Sequence, residues 1–130
     1  MKKLLCTLIL VFMAFPALAQ DHAHEVDSWL KPVESQYVCM VNNKAFDTEQ
    51  IAVDVGDKTY YGCCAMCKGK LEKSTSIRAA IDPVSGETVD KATAVIGADA
   101  DNTVYYFENQ ENLHSFAGKP KPQNDGHGTY

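Results

Sequence analysis

Three cysteines fall within five positions of "TYYGCCAMCKGKL" (residues 59–71), at Cys63, Cys64 and Cys67, and a fourth, Cys39, stands upstream in "YVCMVNNKAF". Thiols at this density must be bridged, bound to a metal or poised for redox chemistry. The flanking residues decide where the sulfurs point. "IAVDV" alternates, with Ile51, Val53 and Val55 on one side, Gly56-Asp57 makes a two-residue turn of the Gly-first kind, and "KTYYG" returns, which predicts a β-hairpin. Residues 64–73 hold no proline or β-branched residue and are rich in Lys, Leu, Ala and Met. A helix of about three turns is therefore predicted to follow.

On a helix, positions four apart share a face, so Cys63 and Cys67 can converge with Cys39, which lies in a turn-prone segment before the hairpin. The positive end of the helix dipole lowers thiol pKa in the first turn, and the thiolate is the species that binds metal. Cys64 points about 100 degrees away from Cys63 if the helix has already begun there. It is then a fourth ligand from a non-helical position or a buried spectator. Soft thiolates favour copper(I), zinc and iron–sulfur clusters; three sulfurs suit copper(I), and four suit zinc. Met40 and Met66 flank the cysteines and would add thioether ligands, although packing a core is the commoner use of methionine.

The N-terminus sets the compartment. Lys2 and Lys3 precede an apolar run over residues 4–15 and then Ala17-Leu18-Ala19, the pattern of a secretory signal peptide spanning 1–19 and cut after Ala19. The run is too short for a permanent membrane helix, and Gln20 follows the cut where a lipid anchor would need cysteine. No membrane anchor is expected after cleavage, and Cys6 leaves with the signal. The chain is predicted to reside in the periplasm or to be secreted, where disulfides persist unless a metal or a reductant protects the thiols. Its 130 residues include 12 basic and 17 acidic side chains. That balance shows no basic face for a nucleic-acid partner and suits a cation better.

Residues 20–36 are polar and broken by Lys31-Pro32, and read as a flexible arm whose end Trp29 and Leu30 anchor. Residues 119–130, dense in Pro, Gly and Asn, read as a disordered tail. Between them lies an internal repeat. "YVCMVNNKAF" and "DPVSGETVDKA" open two blocks, and "TYYGCCAMCKGKL" and "VYYFENQENLHSF" close them. With Cys39 set on Ser85, Cys63 falls near Glu108, Cys67 near Asn112, and Leu71 on Phe116. The second block adds strands at 92–96 and 103–107 and a helix near 111–117. The predicted fold class is α+β, two small ββα units packed together, one with thiols over 37–81 and one without over 82–118.

These residues carry a family resemblance. "YVCMVNNKAF" with "YYGCCAMCKGKLEKS" resembles the TRASH domain, proposed for trafficking, resistance and sensing of heavy metals. It also resembles the related YHS domain, in which a cysteine before a hairpin joins a C-x3-C pair. Cys39, Cys63 and Cys67 match the three motif cysteines. "DPVSGETVDKA" with "VYYFENQENLHSF" is similar to the YHS pattern D-P-V-C-G and Y-Y-F-C-x3-C, with Ser85, Glu108 and Asn112 in place of its cysteines. The resemblance implies treble-clef-like units, the first holding a heavy-metal ion and the second holding no soft metal.

The expected function is metal handling, trafficking or resistance outside the cytoplasm, with copper(I) ahead of zinc, bound by Cys39, Cys63 and Cys67 and with Cys64 as the open fourth position. The expected partners are the ion itself and a metal transporter or acceptor protein. Two other classes compete. A disulfide-stabilised partner-binding module would staple Cys39 to Cys63 or Cys67, contributing about 3 kcal/mol, whereas a bridge between the neighbours Cys63 and Cys64 would be strained. A thiol–disulfide redox protein would use Cys64-Ala65-Met66-Cys67 at the helix start, but the βαβ scaffold of such proteins is missing. No Ser-His-Asp set, phosphate-cradling Gly loop or paired catalytic carboxylates can be placed, so the chain is not read as an enzyme.

Smaller features are weighed the same way. After cleavage, Gln20-Asp21-His22 would offer an amine, two amides and an imidazole to copper(II) or nickel(II), provided that Gln20 has not cyclised; a solvated arm is the plainer reading. His114 and His127 read as bystanders. Asp99 and Asp101 in "GADADN" lack the ligand series and closing Glu of a calcium loop and read as a solvated turn. In Tyr60-Tyr61 and Tyr105-Tyr106, one ring of each pair should pack and the other lie near the surface.

Overall fold

In a computed structural model that describes residues 28–123, the elements run β1 (Lys31–Pro32), a 3-10 turn (Ser35–Tyr37), β2 (Val38–Cys39), β3 (Lys44–Ala45), β4 (Ile51–Val55), β5 (Lys58–Gly62), α1 (Ala65–Lys73), α2 (Thr75–Arg78), β6 (Ala79–Ile81), β7 (Thr88–Asp90), β8 (Val95–Ala98), β9 (Val104–Phe107) and α3 (Gln110–Ala117). The signal segment, Gln20-Asp21-His22 and His127 lie outside the described residues. Strands pair as β2 with β3, β4 with β5, β6 with β7, and β1 with β8 with β9, all antiparallel. This is an α+β arrangement in which a hairpin followed by a helix occurs twice.

The first hairpin is closed by Gly56, whose φ of 66° is the left-handed conformation that the first position of such a turn demands. Val53 faces Tyr60 across the ladder, and both are buried. Ile51, at the open end opposite Gly62, stays exposed. Helix α1 lays Leu71 and Cys67 against this hairpin. It can lie so close because Gly62 has no side chain: a Cβ there would stand 2.9 Å from the Cys67 Cβ. Arg78 of α2 donates to the carbonyl of Leu71 and lies over the Tyr60 ring, which satisfies part of the carboxyl end of α1.

The second hairpin starts later than predicted, at Val95 instead of Ala92. Asp90 explains the delay, because its side chain accepts from the Ala92 N–H and its carbonyl accepts from the Thr93 and Ala94 N–H groups. That turn consumes the donors a strand would need. Residues 79–81, expected to close the first unit, instead form β6 and pair with β7 across the expected boundary after Ile81. The two halves are further joined where Ala45 N–H bonds the Asn102 carbonyl and Val104 N–H bonds the Asn43 carbonyl.

Both ends of the described chain are docked. Leu30 is buried against a surface that Gly97 leaves open, since a Cβ there would meet the Leu30 side chain at 2.8 Å. Burial of a side chain of this size contributes about 1.5–3 kcal/mol. Trp29 packs edge-on to Tyr105 and against Phe116, and its indole donates to the Lys119 carbonyl. From residue 28 onward the predicted arm is thus held in place. The turn "GADADN" is not solvated at its first aspartate. Asp99 accepts from the N–H groups of Asp101 and Thr103 and pairs with Lys121 at 3.1 Å, with its side chain 3% exposed. Tyr60 and Tyr106 are buried while Tyr61 and Tyr105 are partly exposed, as alternation requires.

Candidate metal centre

Each cysteine owes its place to a local rule. Cys39 ends β2, and the chain then reverses through Asn43, whose φ of 53° asparagine tolerates better than most residues. The Cys39 side chain is fully buried. Cys63 directly follows β5, and Cys67 sits in the first turn of α1. The helix does not begin at Cys64 as predicted. Cys64 is its N-cap, in extended backbone with φ −157° and ψ 170°, so Cys63 lies outside the helix and reaches Cys67 from the strand end.

The sulfurs of Cys39, Cys63 and Cys67 lie within 4.8 Å of one another. Cys67 is the hub, 3.9 Å from the Cys39 sulfur, 3.6 Å from that of Cys63 and 3.5 Å from that of Cys64. These separations far exceed a disulfide bond of about 2.05 Å, and all four are free thiols. With metal–sulfur bonds of about 2.3 Å, sulfurs around one ion stand about 3.8–4.0 Å apart in tetrahedral or trigonal geometry. The two separations from Cys67 already lie within a few tenths of an ångström of that spacing, and the third side of the triad is no longer than 4.8 Å. Cys64 is neither a buried spectator nor a member of the mutual set. It is exposed and approaches Cys67 from outside.

Thiol acidity differs around the cluster. Burial raises the Cys39 pKa, but the N–H groups of Asn42, Val41 and Cys63, directed at its sulfur, outweigh burial and bring it below the usual thiol value. Cys63, sharing its proton with Cys39 and then Cys67, is pushed up to about 12. Burial raises Cys67 as well. Cys64 is lowered, first by the nearby N–H of Cys67. One inner thiol is thus more acidic than usual and two are less acidic, and those two hold protons that a metal would have to displace.

Sequence reasoning missed two residues, one that backs the site and one that takes its place in the second half. Lys91 is 5% exposed and donates to the Met40 carbonyl at 2.7 Å and to Asn43 Oδ1 at 2.9 Å, with Tyr106 donating to the same Asn43 oxygen. Burial lowers the Lys91 pKa to about 8, and the charge of Cys39 acts against that fall. A buried ammonium thus stands behind the turn that carries Cys39. Nothing in "VDKATAV" distinguishes this lysine from a surface one.

The second is Asp82. Its carboxylate is fully buried and accepts from the N–H groups of Val84, Ser85 and Glu108 and from the Asn112 side-chain amide. The N–H groups two and three residues on, and that of the residue after the hairpin, are the same donors that reach Cys39 in the first half. Asp82, not Ser85, is therefore the counterpart of Cys39, and Asn112 stands where Cys67 stands. Hydrogen bonds to one carboxylate tie loop to helix there. The opening "DPVSG" is a turn signal led by Asp, and it was the available clue.

Of the remaining candidates, Met40 is buried in the core whereas Met66 is 70% exposed on α1, so core packing describes only the first. His114 is exposed on α3, away from the cysteines in the opposite hairpin–helix. A cleft of about 690 Å³ is lined by Trp29, Tyr37, Phe46 and Asn102 among others and by none of the cysteines. No family model, characterised protein or solved structure matches this chain. None of its helices among the described residues is long and apolar enough to cross a membrane.

Proposed function

We propose that this chain binds a soft heavy-metal ion outside the cytoplasm through Cys39, Cys63 and Cys67, and that it holds, buffers or delivers that ion. The observation that carries this reading is the mutual approach of the three sulfurs within 4.8 Å. Copper(I) is favoured over zinc because three donors converge while the fourth cysteine stays outside the set, and a closed structural zinc site requires four. The two hairpin–helix units are read as TRASH/YHS-like, treble-clef-like units, a reading supported by the motif cysteines and by the matching donors around Cys39 and Asp82. The signal-like N-terminus supports a periplasmic or secreted location, and a metal transporter or acceptor protein is the partner such a role calls for.

The test is elemental analysis of protein isolated anaerobically from its own compartment, alongside Cys39→Ser and Cys67→Ser variants. Copper near one equivalent in the parent and little in either variant is expected. Equal metal content in all three would refute the assignment. Absence of metal together with a Cys39–Cys67 or Cys39–Cys63 disulfide would favour the stapled binding module instead.

A further inference from the structure

We propose that Cys64 is the receiving ligand of this site, a sulfur that takes the incoming ion from its carrier and passes it inward through Cys67. The inference rests on the metal-binding reading above and assigns a role to the cysteine which that reading leaves over.

Access comes first. Cys39 is 0% and Cys67 5% exposed, so a carrier still wrapped around its ion cannot reach either. Cys63 is exposed but is a member of the converging set, and its sulfur accepts from the Asn42 amide. Cys64 is exposed, outside the mutual set, and only 3.5 Å from Cys67. An ion shared by Cys64 and Cys67 reaches the triad by gaining Cys63 and Cys39 and losing Cys64, and Cys67 need never let go.

The fold gives an independent reason to think that this thiol is not there for structure. Cys64 and Asn109 are the N-caps of the helices after the two hairpins, and their backbones are identical at φ −157° and ψ 170°. Asn109 accepts the capping bond from the Asn112 N–H at 2.8 Å, whereas the Cys64 sulfur only lies near the N–H groups of Cys67 and Met66 without closing a capping bond, and sulfur is a weak acceptor. Asn and Ser are among the best residues for this position. The first half thus forgoes a good cap to keep a sulfur at its surface.

The exchange balances without any change of oxidation state. The Cys64 sulfur forms a bond to the ion as one carrier bond breaks, and the thiol proton leaves with the departing carrier ligand. Cys67 then displaces the second carrier ligand in the same manner. Cys63 and Cys39 complete the triad, the proton that Cys63 gives up passing to Cys64 as the Cys64 bond to the ion breaks and any proton on Cys39 leaving to solvent.

The test uses Cys64→Ser, a substitution that installs a preferred N-cap and so leaves the fold intact. Copper(I) is supplied anaerobically as its glutathione complex, with uptake followed by stopped flow and affinity by competition with a chromophoric chelator. Affinity within about threefold of the parent with uptake slowed at least about tenfold is expected. An equal fall in affinity would make Cys64 a permanent fourth ligand, and an unchanged uptake rate would remove it from the path; either overturns the proposal. Undiminished binding in Cys39→Ser and Cys67→Ser would instead overturn the metal site itself.

Discussion

The ammonium of Lys91 lies 2.7 Å from the carbonyl oxygen of Met40, so the cysteine-free half of the chain reaches into the loop that presents Cys39. This contact explains what a half without thiols contributes. It covers the core of the first half, and it places a buried positive charge behind a site that becomes anionic when three thiolates gather around a univalent or divalent ion. Replacement by Met keeps most of the stem but strands the Met40 carbonyl and Asn43 Oδ1. Lys91→Met should cost about 1–3 kcal/mol in chemical denaturation. It should also weaken copper(I) binding by about tenfold or more in competition titrations.

Gly62 sets how closely α1 approaches β5. Alanine there would put its Cβ 2.9 Å from the Cys67 Cβ and 3.4 Å from the Cys67 backbone carbonyl carbon, and neither is the free end of a flexible side chain. Gly62→Ala should lower stability by about 1–3 kcal/mol through overpacking and shift Cys67 out of the triad. Thermal melts of the metal-free protein with metal competition would show both losses, whereas Gly69→Ala, with nothing within 4 Å of the added Cβ, should show neither.

Asp82 makes the second half sensitive to acid. Burial raises its pKa, but the Asn112 amide and the N–H groups of Glu108, Val84 and Ser85 outweigh burial and hold it below the usual carboxylate value. A carboxyl depressed in the folded state gives stability that is fully present above its unfolded pKa of about 4 and lost as pH falls through the folded value. Asp82→Asn should lower stability at neutral pH and flatten its decline below about pH 4. Denaturation curves at a series of pH values check both effects.

Metal affinity should rise with pH. Cys63 is pushed up to about 12 and Cys67 is also raised, so both keep their protons through neutral pH and must lose them on binding. Apparent affinity should then climb by at least about two orders of magnitude per pH unit around neutrality. Calorimetry in buffers of different ionisation enthalpy would count the released protons, and a count near zero would contradict the thiol assignments.

Much of this arrangement is legible in the sequence where local rules govern. The Gly56-Asp57 turn, the strands beside it and the convergence of Cys39, Cys63 and Cys67 follow from alternation, turn chemistry and spacing. The register of the repeat does not. Motif similarity sets Cys39 on Ser85, while hydrogen bonding sets it on Asp82, because the loops are matched by which atoms receive their N–H groups and not by which letters recur. The helix start at Ala65 was likewise hidden, since a cysteine at an N-cap contradicts the usual capping preference. Lys91 was out of reach because its burial depends on contacts with residues some fifty positions away.

X-ray absorption at the copper edge of the anaerobically loaded protein tests the central claim most directly. Three sulfur neighbours at about 2.3 Å, falling to two in Cys39→Ser, are predicted. A first shell of nitrogen and oxygen, or a sulfur count that Cys39→Ser leaves untouched, would contradict it.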